Sequence, residues 1–241
     1  MKASSLQRLE RYLQFQAATP EKAPRPQQPS ITISRESGAG ATTVAEMVVE
    51  QLNAIKPAEP AWTVFDKNLA REVLFEHNLS SDLENFMVED ARLPVESAVE
   101  ELLGLHPNNY WLAQQTTKTI LRLASMGRVV MIGRGAEVIT QLLPYVFHVR
   151  LIAPISKRIT QAAEFYGLTP SEAVLKVSTE DHARRRYLKH YFNADWNSPL
   201  HYHLVMNTAK IGFTDATEII VLAALRHYEE FLRGQQALRA A

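Results

Sequence analysis

Seven consecutive residues, Ser37-Gly38-Ala39-Gly40-Ala41-Thr42-Thr43, combine small size, two glycines and three hydroxyls two residues after a β-branched run. Such a turn suits the holding of phosphate. Glycine lets the backbone curl until several N–H groups face one anion, and a helix opening there adds positive potential. Thr42 or Thr43 could then set a hydroxyl on a bound magnesium ion. Against the full phosphate-loop pattern G-x-x-x-x-G-K-[ST], Gly40 takes the second glycine, which puts Arg35 at the first and Ala41 at the lysine. The missing lysine is a chemical gap, because that side chain follows charge developing on a transferred phosphate. Arg35 is the candidate to supply an equivalent cation from across the turn. Taken alone, the segment also fits an ordinary strand-to-helix connection.

Three other places carry chemistry. Arg134 stands between Gly133 and Gly135 after an apolar run, at the kind of strand end where open α/β sheets bind ligands. Its planar guanidinium suits phosphate, a surface ion pair being the alternative. Arg184, Arg185 and Arg186 are successive, so on a helix they point about 100° apart and cannot all face water. Asp66 closes an apolar run and opens a helical one, which fits a cap as well as a ligand. Arg71 and Arg92 read as surface residues with a phosphate contact as the alternative. Arg150, inside an apolar run, needs a partner or an edge. His201 and His203 would share one face of a strand, a weak metal signal without a carboxylate. Trp62, Trp111 and Trp196 read as packing.

Alternating elements must position these residues. Apolar or β-branched runs predict strands over 30–34, 62–65, 129–132, 146–152 and 204–208. Helices are predicted over 44–52, 67–105 with a break near 78–81, 110–126, 155–166, 170–190 and 214–233. Short strands alternating with helices imply a parallel sheet covered on both faces. Before the first strand, residues 4–17 space leucines at helical intervals, and residues 20–29 hold four prolines among polar residues, an extended linker.

Composition narrows the function classes. The 241 residues carry 46% hydrophobic and 22% charged side chains, ordinary for a domain with a core, and the formal net charge is zero. No basic field or interleaved basic–aromatic surface draws in nucleic acid. Cysteine is absent, which removes disulfides, thiolate catalysis and thiolate metal sites. With no apolar run of membrane-span length and no signal-peptide core at the amino end, a cytoplasmic protein is expected.

Taken in order, Ile33-Ser34-Arg35-Glu36-Ser37-Gly38-Ala39-Gly40, Ile132-Gly133-Arg134-Gly135-Ala136, Val149-Arg150-Leu151-Ile152-Ala153-Pro154, the stretch 181–196 and Met206-Asn207-Thr208 resemble the cytidylate kinase-like family of P-loop nucleoside monophosphate kinases. The resemblance implies an α/β fold of the P-loop kinase type, three-layer α/β/α with a five-stranded parallel sheet. It also implies a helical acceptor-binding insertion over 67–126 and an arginine-bearing lid over 167–196, within a domain spanning 30–241. The implied activity is transfer of the terminal phosphoryl group of MgATP to a nucleoside monophosphate, CMP or dCMP first. In that scheme Ser37 to Thr43 (Ser37, Gly38, Ala39, Gly40, Ala41, Thr42 and Thr43) cradle ATP, and Thr42 meets Mg2+. Arg134 grips the acceptor, Asp66 lies near acceptor or metal, Arg184 comes from the lid and Arg185 contacts substrate, although spacing does not rank Arg185 against Arg186. Gly135 stands where the family has aspartate. That departure and Ala41 keep two alternatives open: a nucleotide-binding sensor without transfer, and a kinase for another small acceptor. The helix expected before residue 29 could dock on a partner protein or a second copy.

Overall fold

The computed structural model describes residues 29–55, 57–58, 60–66 and 109–240. The expected leading helix, the linker up to residue 28, and residues 67–108 of the expected insertion, with Arg71 and Arg92, lie outside them.

Strands β1 (Ser30–Arg35), β2 (Thr63–Phe65), β3 (Val129–Ile132), β4 (Val146–Ile152) and β5 (Leu204–Asn207) form one sheet in the order β2-β3-β1-β4-β5. Every pairing is parallel, with Ile31 beside Val130 on one flank and Phe147 on the other. Their interleaved helices are α1 (Ala41–Ile55), α2 (Asn109–Met126), α3 (Ala136–Ile139), α4 (Ile155–Tyr166), α5 (Pro170–Phe192) and α6 (Phe213–Ala240). This is the three-layer α/β/α architecture of a P-loop kinase.

Side-chain alternation along β1 explains the layering. Ile31 and Ile33 point to one face and join a core completed by α1 and α6. On α1 the buried residues are Ala41, Val44, Ala45, Val48, Val49 and Leu52, a single helical stripe. The opposite face is covered by α2, whose Ile120, Leu123 and Ala124 pack with Phe65, Met131 and Val146. On that face β1 carries small hydroxyls, each with a partner. Ser30 Oγ donates to the Ala124 carbonyl at 3.0 Å, Thr32 Oγ1 lies 2.8 Å from His148 Nδ1, and Ser34 Oγ accepts from the Tyr202 hydroxyl at 3.1 Å. Buried hydroxyls paired in this way cost little.

β1 has its sequence-distant neighbours on both sides, so the order reverses there. The carboxyl end of β1 is therefore the switch point at which open α/β sheets place ligands, and it leads directly into residues 37–43.

α1 begins three residues earlier than the sequence suggests, which puts Thr42 and Thr43 in its first turn, and α6 continues to Ala240. The histidine expectation is corrected. His201 ends a short 3-10 turn (Pro199–His201), and His203 precedes β5. His203 turns back onto β4, stacking on His148 and Phe147 at ring distances of 5.0 and 5.1 Å. Arg150 is buried. It donates to the Trp196 carbonyl and lies 4.4 Å from the Trp196 ring and 5.6 Å from that of Tyr202.

α4 and α5 form a hairpin. Gly167 ends α4 at a φ of 65°. Thr169 then caps α5: its side chain accepts from the Glu172 N–H, and Glu172 returns the bond to Thr169 N. Ala162, Ala173 and Val177 form the seam between the two helices. Small seam residues bring the hairpin close enough for its charged face to meet the glycine turn.

Candidate functional site

The turn after β1 has the shape its glycines allow. Gly38 has a φ of 79°, and a Cβ there would lie 2.2 Å from the Arg158 carbonyl oxygen. Any side chain at this position would collide with backbone, so the loop can sit against α4 only with glycine. Ala41 opens α1, and the first N–H groups of a helix have no partner within it.

Above the turn lies a cleft of about 620 Å3. Its floor is the whole run from Arg35 to Thr43, the α4–α5 hairpin forms the facing wall, and Asp66, Arg134 and Phe213 line it between them. The turn residues 37–43, Arg35, Asp66, Arg134 and Arg184 are thus brought together, while Arg150, Arg185, Arg186, His201 and His203 lie outside the lining. Arg134 is buried and holds a φ of 60°, a left-handed conformation that a non-glycine residue adopts at a cost. Arg184 lines the cleft and is 5% exposed. Arg185 is exposed and outside the lining, its guanidinium 4.7 Å from the Trp196 ring.

Thr42 Oγ1 donates to Asp66 Oδ2 at 3.3 Å. A hydroxyl and a carboxylate at that separation fit a magnesium ion, a hard cation that takes few protein oxygens and fills its shell with water and substrate phosphate. Among the described residues no group of three or more metal-ligating side chains occurs.

The hairpin is fastened to the turn by a charged clasp that sequence reasoning missed. Arg158, on α4, donates from Nη1 to the Ser37 carbonyl at 3.0 Å and pairs with Asp181 Oδ2 at 2.7 Å. Its Nε lies 3.3 Å from Glu36 Oε2. Asp181 also accepts from the Ser37 N–H at 2.7 Å. On the adjacent position of α5, Glu180 accepts from Ser37 Oγ at 2.5 Å and from Arg184 Nη2 at 3.0 Å, and pairs with Lys176. Burial alone would raise the Glu180 pKa. Arg184, together with hydrogen bonds from Lys176 and Ser37, outweighs it and lowers the value to about 2. Tyr166 moves the other way, its phenol raised by burial and by Glu180. Lys176, Glu180 and Arg184 stand at i, i+4 and i+8, a signal present in the sequence. Arg158 and Asp181 are 23 positions apart and gave none.

A five-stranded parallel sheet with a glycine turn at its switch point is a fold of the P-loop kinase type. The chain belongs to the cytidylate kinase-like family, whose model matches residues 30–210. It is 26% identical over 198 residues to the cytidylate kinase of Thermococcus kodakarensis, covering 82% of this chain and 88% of that one. A stretch of 125 residues is 26% identical to the uronate isomerase of Corynebacterium glutamicum, of which the chain spans only 24%. Among solved structures, an uncharacterized protein from Eubacterium ventriosum superposes with a TM-score of 0.59 at 19% identity, over 82% of this chain and 98% of its own. No helix among the described residues is long and apolar enough to cross a membrane.

Proposed function

We propose that the protein is a nucleotide kinase that transfers the terminal phosphoryl group of MgATP to a nucleoside monophosphate, with CMP or dCMP the first acceptors to try. The observation that carries this is the convergence of the 37–43 turn, Arg134, Arg184 and the Thr42–Asp66 pair on one cleft. Backbone N–H groups of the turn hold the ATP phosphates, and Thr42 with Asp66 holds Mg2+, which neutralises charge between them. Arg134 holds the acceptor monophosphate, while Arg35 and Arg184 meet charge on the moving group. An acceptor oxygen bonds to the terminal phosphorus as the bridging P–O bond breaks, and ADP leaves with the electron pair. Positioning and preset charge supply most of the rate. Family membership supports the phosphotransferase class, and the cytoplasm is the compartment this chemistry suits.

One observation favours a second reading, a nucleotide sensor without transfer. At Gly135, whose φ is 67°, a Cβ would lie 2.8 Å from the Phe192 ring, so the aspartate common in cytidylate kinases would have to displace that ring.

A MgATP-dependent transfer assay over a panel of monophosphates, with calorimetry of ATP and CMP binding, separates the two. Turnover is expected, with Arg134→Ala losing roughly a hundredfold or more in kcat/KM. ATP binding without turnover on any acceptor would leave the sensor. Absence of nucleotide binding would end both readings.

A further inference from the structure

The loop carries Ala41 where phosphate loops carry lysine, so an active site here needs that charge from another element. Lys176 reaches the same cleft from α5, and of the described residues lining the cleft it alone is a lysine. Its ammonium lies 4.4 Å from the Tyr166 ring centre and pairs with one oxygen of Glu180. The other oxygen of Glu180 takes Ser37 Oγ and Arg184.

Glu180 is therefore a carboxylate gripped by a loop hydroxyl and two cations beside the phosphate-binding turn. A phosphate oxygen offers the same sign of charge and the same acceptor chemistry. Donors arranged this way make an anion site that the chain fills with its own side chain.

Charge balance makes Lys176 matter. The lining includes Arg35, Arg134, Lys176 and Arg184 against Glu36, Asp66, Glu164 and Glu180, four of each sign. Without Lys176 the balance turns negative, which opposes a polyphosphate. Mobility separates Lys176 from Arg184. The Arg184 side chain is 6% exposed and clasped by both Glu180 and Asp181, while that of Lys176 is 30% exposed on a flexible four-carbon stem.

We propose, resting on the kinase reading above, that Lys176 supplies from the lid helix the cation absent from the phosphate loop. Glu180 holds it until the outer phosphates of a nucleoside triphosphate take the carboxylate's place. No bond forms to the lysine, which stays protonated and exchanges one anionic partner for another.

Calorimetry of the full chain with MgATP and with AMP tests this, using Lys176→Met, Lys176→Arg and Glu180→Gln, each checked for folding by its melting temperature. Lys176→Met is expected to weaken MgATP by about tenfold to a hundredfold and to leave AMP almost unchanged. Lys176→Arg keeps most of the MgATP affinity, and Glu180→Gln tightens it severalfold because the competing charge is gone. Unchanged MgATP affinity in Lys176→Met overturns the inference while the kinase reading stands. Equal losses in Met and Arg trace the effect to packing on Tyr166 and also overturn it. Unchanged or weaker MgATP binding in Glu180→Gln removes the holding role. A wild-type chain with no preference for MgATP over AMP removes the kinase reading and the inference with it.

Discussion

His148 and Arg150 stand two residues apart on β4, on the same face of one strand, and meet opposite fates. Burial and the neighbouring His203, His227 and His201 lower the His148 pKa to about 3. Its ring is thus neutral, with Nδ1 2.8 Å from Thr32 Oγ1. Arg150 instead donates to the Trp196 carbonyl and lies over the faces of Trp196 and Tyr202. Beyond the strand's carboxyl end, Arg158 pairs with Asp181 and Arg184 with Glu180. On β4 the neutral ring lies nearer the amino end, and acidic and basic side chains gather past the carboxyl end, where a ligand would bring charge of its own. A single strand can do both because each end is solvated by different side chains, and the strand itself contributes almost no net dipole.

The ionised end is broken most severely at Arg158. Its guanidinium ties α4 to Ser37 and Asp181, and it is 8% exposed. Removing one partner of a buried pair leaves the other uncompensated, so Arg158→Ala is expected to lose about 3–5 kcal/mol in urea denaturation. Asp181→Asn should cost much of the same amount, and the double variant less than the sum. A loss in Arg158→Ala below about 1 kcal/mol would show that the clasp behaves like a surface pair.

Acid breaks the neutral end. The folded state holds the His148 pKa near 3, below its ordinary 6.5, so between those values the unfolded chain binds the extra proton. Stability from His148 is complete above pH 6.5 and is lost as pH falls, at about 1.4 kcal/mol per pH unit. Glu180 also has a lowered pKa, about 2 against 4.5, but its contribution is lost only below pH 4.5. Unfolding free energies from pH 7.5 to 5 therefore read the histidines. His148→Asn, which keeps a side-chain partner for Thr32, should flatten the slope. An equal slope in wild type and variant would remove His148 as its source.

The neutral and ionised ends differed in how far the sequence disclosed them. Apolar or β-branched runs gave all five strands, even though β1 sets Ser30, Thr32 and Ser34 on one buried face and β5 is only partly buried, and glycines flagged the turn because φ near 80° excludes most side chains. Arg134 was legible from its place after such a run. Pairings across long separations were not: Arg158 meets Asp181, and His203 meets His148, only because the topology sets α4 beside α5 and β4 beside β5. Lys176, Glu180 and Arg184 carry a helical spacing of four residues that is present in the sequence, although nothing in it says which face of α5 meets the turn.

Within that arginine run, the contrast between the two ends can be tested at its finest scale. Arg184 faces inward to Glu180 and Asp181, and Arg185, about 100° around the helix, lies on Trp196 at the surface. An exposed cation over an indole is worth about 0.5–1 kcal/mol, so Arg185→Ala should move the unfolding midpoint slightly. Its MgATP affinity, measured alongside Arg184→Ala, should change by less than about threefold, the equivalent of under 1 kcal/mol. A tenfold loss in Arg185→Ala would instead bring its side chain into the cleft with nucleotide bound. The substrate contact expected from the sequence would then require α5 to turn about its axis as the lid closes.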